Sequence, residues 1–175
     1  GIAKMLNFAH GDVIMIGGYV VFVTASGMGL PPLAAIVISM AVCTVLGVTI
    51  ERVAYRPLRG ASPLAVLITA IGVSYLLQNV ALLVFGSDTK AFTNVVTMPN
   101  LELFDGQLII KSVTVVTVIV SIIIMVGLNL FVKRTKLGRA MTAVSEDKGA
   151  AQLMGINVNG TIAVTFAIGS ALAAV

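Results

Sequence analysis

Apolar and polar positions fall into long alternating blocks along this chain. Residues 13–30, 31–50, 64–86 and 112–132 carry no charged side chain, and a further apolar block starts at residue 160 and runs to Val175. Crossing the hydrocarbon core of a bilayer takes about 20 apolar residues as a helix, because every backbone N–H and C=O must be satisfied within the segment. The pattern therefore predicts four membrane spans and the start of a fifth. Pro31-Pro32 marks the turn between the first two. The expected fold is an all-α, polytopic transmembrane bundle.

The polar blocks differ in sign. Residues 51–63 hold Arg52, Arg56 and Arg59 against Glu51. Residues 133–159 hold Lys133, Arg134, Lys136, Arg139 and Lys148 against Glu146 and Asp147. Residues 87–111 hold Lys90 and Lys111 against Asp88, Glu102 and Asp105. Basic loops stay on the cytoplasmic side, so residues 51–63 and 133–159 are expected inside and residues 87–111 outside. One orientation satisfies every connection.

Composition agrees with lipid as the solvent. Of 175 residues, 58% are hydrophobic and 10% charged, against about 25% charged in ordinary soluble domains. Mean hydropathy is +1.08. The +4 net charge comes from 11 Lys and Arg against 7 Asp and Glu. Its placement in short connections fits loop orientation rather than nucleic-acid binding, and no nucleic-acid partner is expected. The single cysteine, Cys43, sits in an apolar block and reads as a small buried side chain. The chain starts at Gly1 and stops within an apolar block, so both ends read as truncations of one transmembrane domain over residues 1–175.

Four segments could carry function. In residues 133–159, Leu137, Ala140, Met141 and Val144 recur at helical spacing and predict a basic amphipathic extension of the fourth span. Ser145 is then expected to cap a new helix with Glu146 and Asp147 in its first turn, where the dipole favours acids. Ala150, Ala151, Gln152, Leu153 and Met154 continue it, and Gly155 is placed to end it in a left-handed conformation. That helix of about nine residues, roughly 13 Å long, either reverses the chain at the membrane surface or docks a soluble partner.

The second segment, at residues 5–12, holds Asn7, His10 and Asp12 at the mouth of an apolar block. These residues either cap and orient the span or, with the helix broken near Gly11, face a translocation path. Third, the arginines of residues 51–60 read as ligands for lipid head groups or as braces of the cytoplasmic face. Fourth, Gln78 and Asn79 lie inside the third span, where their amides either bind neighbouring helices or meet a polar solute. A single histidine offers no metal site. No phosphate-binding loop or catalytic triad motif occurs, so no ATP binding and no enzymatic activity are expected of this chain.

Three strings are specific beyond hydropathy: MLNFAHGDVIMIGGY at residues 5–19, ERVAYRPLRGASPLAVLITAIGVSYLLQN at residues 51–79, and RTKLGRAMTAVSEDKGAAQLMGINVN at residues 134–159. Together they resemble bacterial branched-chain amino acid ABC transporter permeases of the LivH type, over nearly the whole chain. The resemblance implies a membrane channel of an ATP-driven importer in a bacterial or archaeal plasma membrane. It implies a second homologous permease, two cytoplasmic ATPase subunits that bind ATP and Mg, and an extracytoplasmic solute-binding protein. ABC importers share a loop of the form Glu-Ala-Ala, three residues, then Gly. Ala150-Ala151 and Gly155 fit it, while Gly149 stands at the Glu position. The implied coupling residues are Glu146, Asp147, Ala150, Ala151, Leu153, Met154 and Gly155. Asn7, His10, Gln78 and Asn79 are the candidates for the pathway. Permeases for urea, short amides or another amino acid fit the same strings, and a carrier or channel working without an ATPase remains the competing class.

Overall fold

The computed structural model describes residues 9–91, 99, 101–103 and 108–175. They form seven helices and a short antiparallel ribbon, divided into two compact units: residues 1–91 with 140–175, and residues 92–139.

In the first unit, α1 (His10–Phe22) runs into a π turn at Val23–Gly27. α2 (Pro32–Ile50) follows, with Pro32 at its start, where a missing N–H costs nothing. It continues through a π turn (Glu51–Tyr55) and a 3₁₀ turn (Arg56–Leu58), so the helical stretch is Pro32–Leu58. α3 (Pro63–Phe85) opens on Ser62, whose hydroxyl accepts the Ala65 N–H at 3.3 Å. α7 (Val158–Leu172) opens on Asn157, whose side chain accepts the Gly160 N–H at 3.0 Å.

α2 packs between α1 and α7, and small residues line its contacts: Ala35, Ser39, Cys43 and Gly47 recur every four residues and are buried. Ser39 Oγ donates to the Gly17 carbonyl of α1 at 2.9 Å, and Cys43 Sγ lies 3.6 Å from the Val13 carbonyl. A Cβ on Gly47 would overlap Ser170 Oγ of α7, so only glycine permits this approach. Small residues at such seams let helices pack closely where lipid removes the hydrophobic drive. The large apolar residues turn the other way: Leu33, Val37, Val45 and Leu83 are exposed.

In the second unit, β1 (Leu101–Leu103) pairs antiparallel with β2 (Leu108–Ile110). α4 (Ser112–Arg134) follows, with Ile119, Ile122, Ile123 and Met125 exposed along it. Thr135 then adopts an extended conformation and α5 (Lys136–Glu146) begins. The basic segment is thus a separate helix rather than an extension of the fourth span. Thr135 Oγ1 accepts the Gly138 N–H at 2.9 Å, starting the new helix.

Pro32–Leu58, Pro63–Phe85 and Ser112–Arg134 are long and apolar enough to cross a membrane; Val158–Leu172 is a shorter apolar helix. Helices stand in all five apolar blocks. The first starts at His10, three residues earlier than its apolar run, and passes through Gly11 unbroken. The break that the pathway reading of this segment invokes does not form.

Candidate functional site

Starting α1 at His10 places Asp12 within the helix, and its side chain is 7% exposed. A carboxylate at such a position needs donors. α3 supplies them. Ser74 Oγ donates to one carboxylate oxygen, and Gln78 Nε2 donates to the other at 3.0 Å and lies 3.2 Å from Ser74 Oγ. Ser74 and Gln78 meet Asp12 together because residues four apart share a helix face. Higher on the same pair of helices, Tyr19 and Phe85 stack with ring centroids 4.4 Å apart. An ionised Asp offers about four acceptor positions, and this one uses two of them on Ser74 and Gln78.

The four pathway candidates separate. Gln78 joins the Asp12 junction. Asn79 instead donates to the Tyr75 carbonyl of its own helix at 2.7 Å. His10 is exposed at the start of α1. Asn7 lies outside the described residues. Asp12 belongs to the segment at residues 5–12 but is not among the pathway candidates read from the sequence, and neither is Ser74. The available signals were an acid at the edge of an apolar block and a serine one turn before an intramembrane amide.

At the end of the bundle where α2 stops and α3 and α7 begin, Glu51 is 1% exposed and paired with Arg59. The other arm of Arg59 donates to Asn159 at the start of α7. One guanidinium therefore ties the end of α2 to the start of α7. Beneath it, Tyr55 packs with Val66 and Ala70 and faces Phe166 of α7, ring centroids 5.4 Å apart.

The connection into α7 carries the coupling candidates. α6 spans Lys148–Leu153, six residues or about 9 Å, shorter than expected. Ser145 is not its cap. Ser145 lies in α5 and donates to the Thr142 carbonyl at 2.7 Å. Asp147 takes that role: its Oδ1 accepts the N–H groups of Gly149 at 2.8 Å and Ala150 at 3.1 Å. Glu146 is the last residue of α5, so only one acid serves α6. Asp147 stands in the gap between α5 and α6, and its carboxylate also meets the positive end of the helix.

Gly155 ends α6 with φ +80°. Its N–H donates to the Gln152 carbonyl at 3.0 Å, and the Ile156 N–H donates to the Ala151 carbonyl at 3.1 Å. These two bonds are the Schellman arrangement, which uses a left-handed residue to satisfy the last carbonyls. The two faces of α6 differ. Ala151 is 3% exposed and packs with Val144 and Ile162, while Leu153 and Met154 are 90% and 82% exposed. A six-residue helix, fixed at both ends and anchored through one alanine, holds two large apolar side chains in the open.

The family model for the branched-chain amino acid transport system permease component matches residues 1–175. The chain belongs to this permease family. It is 43% identical to the high-affinity branched-chain amino acid transport system permease protein BraD of Pseudomonas aeruginosa, over 100% of this chain and 60% of that protein. It is 38% identical to the LivH permease protein of Salmonella typhimurium, again over 100% of this chain and 60% of its relative. A probable LivH permease protein of Methanocaldococcus jannaschii is 28% identical over 97% of this chain and 54% of its own length. The permease chain thus spans about 60% of the length of the first two relatives. No solved structure matches it. Membership and the apolar helices together make it a multi-pass membrane protein.

Proposed function

We propose that this chain belongs to a membrane-spanning subunit of an ATP-driven ABC importer for branched-chain amino acids, forming part of the translocation pathway and docking on cytoplasmic ATPase subunits. The observation that carries this reading is α6. Its caps at Asp147 and Gly155 make it rigid, Ala151 roots it on α7, and Leu153 and Met154 stand exposed. A helix built this way transmits a push from a partner's surface into the spans instead of absorbing it. ATP-driven closure of the partners biases the spans through contacts that differ between two states. Glu146, Asp147, Ala150, Ala151, Leu153, Met154 and Gly155 form the coupling segment, with 51–63 and 133–159 on the cytoplasmic side and 87–111 outside. The complete importer contains a second permease, two ATPases holding ATP and Mg, and an extracytoplasmic binding protein. Asp12, Ser74 and Gln78 are the polar element of the pathway, and His10, Asn79 and Asn7 are further candidates for it.

The test uses the full-length permease with its ATPase. In mild detergent the two co-purify, and disrupting residues 149–155 abolishes retention while insertion is unchanged. Reconstituted vesicles then take up leucine only with ATP. Folded, inserted protein that binds no ATPase, or uptake driven by an ion gradient alone, would overturn the reading.

A further inference from the structure

The sequence treats Arg52, Arg56 and Arg59 alike, but the fold separates them. Arg59 is engaged by Glu51 and Asn159. Arg52 and Arg56 have no ion-pair partner among the described residues and are exposed. Together with Glu51, whose carboxylate is paired with Arg59, both line a cleft of about 380 Å³ whose opposite wall is the start of α7: Asn157, Asn159, Gly160 and Ala163. We propose that this cleft is a phosphate-binding site, of the size and charge for the head group of an anionic phospholipid.

Four observations converge on that ligand. First, Arg52 in the π turn and Arg56 at the start of the 3₁₀ turn stand four residues apart and line the same cleft. Residues four apart share one side of a helical stretch, and π turns recur at functional sites. Second, the local charge is in excess. Three arginines meet one acid, Glu51, and Arg59 already occupies it. A guanidinium is matched to phosphate by its planar fork of donors.

Third, the facing wall adds donors without adding negative charge. The exposed amides of Asn157 and Asn159 lie at the N-terminal end of a 15-residue helix, whose dipole adds to the positive potential. Fourth, the depth is right for a head group. The cleft sits where the charge-free stretch of α2 gives way to polar residues, and Val53, beside Arg52, is exposed. Basic pockets between helices at this level hold anionic head groups, and arginine stems reach them along apolar surface. The volume lies near the lower end of the range for small-ligand sites.

Occupation would join the end of α2 to the start of α7 across the cleft, beside the Arg59 bridge that already joins them. The site stands independently of the importer reading, since it needs no ATPase and no amino acid.

The experiment uses the full-length permease with its partner subunits. Purified wild type, R52Q/R56Q and the control K133Q/K136Q are placed in nanodiscs of phosphatidylcholine with or without phosphatidylglycerol. Retained lipid is measured by native mass spectrometry and stability by thermal melting, with inorganic phosphate as a soluble probe. We expect wild type and the control to retain phosphatidylglycerol and to melt higher in its presence. R52Q/R56Q should bind it about thirtyfold more weakly, the effect of two arginines at a membrane surface. If inorganic phosphate stabilises wild type but not R52Q/R56Q while phosphatidylglycerol does neither, the phosphate site stands and its ligand is soluble. Equal retention and melting in wild type and R52Q/R56Q with both probes would overturn the proposal. So would an equal loss in the control, which would mark the effect as general surface charge.

Discussion

Asp12 shows how much one side chain decides. It is buried at the α1–α3 contact with a donor on each oxygen. Asp12→Leu removes both acceptors and leaves Ser74 and Gln78 with only their contact to each other, at a cost of about 1–3 kcal/mol. Asp12→Asn keeps one carbonyl acceptor and the shape. The leucine variant should melt lower than the asparagine variant, and a transport defect in Asp12→Asn at unchanged melting temperature would assign the charge to transport rather than to packing. Gly47 makes the complementary case, where absence of a side chain matters. Gly47→Val would drive Cβ into Ser170. The α2–α7 seam would have to part, and we expect a loss of about 2 kcal/mol or more from overpacking, read as a lower melting temperature of the purified permease. Restoration by a smaller partner, Ser170→Gly, would confirm the contact as the cause.

At the scale of the element, α6 is a helix too short to persist by itself. Helices below about 12 residues are marginal in water, so its order rests on the caps and on Ala151. Asp147→Ala removes an acceptor for two N–H groups and should cost about 1 kcal/mol. The outcome is faster amide exchange at Gly149 and Ala150 with little change elsewhere. Gly155→Pro is harsher. Proline fixes φ near −65° and has no N–H, whereas Gly155 needs φ +80° and donates to Gln152. Transport should be abolished while the protein still inserts; normal uptake in that variant would remove the coupling assignment. The glycine stop was legible in sequence because left-handed backbone has one cheap solution. The start was not legible: Ser145 and Asp147 are both good caps, and the choice fell to where α5 ends.

For the whole molecule, the proposed orientation predicts which faces meet which solution. Cys43 is buried, so it should add little to native thiol labelling, which is read first on the unsubstituted protein. In the full-length protein, Lys148→Cys should react with an impermeant maleimide only from the cytoplasmic side, and Asp88→Cys only from outside. Labelling of both from one side would invert or cancel the assignment of loops 133–159 and 87–111. The helical plan was readable from the sequence because an apolar block of about 20 residues has one compact solution in lipid. Which residues of a block face inward was far less readable. The helices α2 and α3 are apolar all round, with Leu33 and Leu83 outside and Ser39 and Ala70 inside. In lipid the usual apolar-inside rule carries no information, and the small residues that mark a seam recur elsewhere without one.

Composition, block length and local turn chemistry thus determined the class of protein, a helix in each apolar block and the end of α6, since each is settled within a few neighbouring residues. The three-dimensional arrangement alone decided the rest. It joined Asp12 to Ser74 and Gln78 across more than sixty residues. It spent Arg59 on Glu51 and Asn159 while leaving Arg52 and Arg56 on an open cleft. The physical reason is common to both: a polar side chain in an apolar setting takes whichever partner packing brings within reach, and that partner is chosen by the meeting of helices rather than by spacing along the chain.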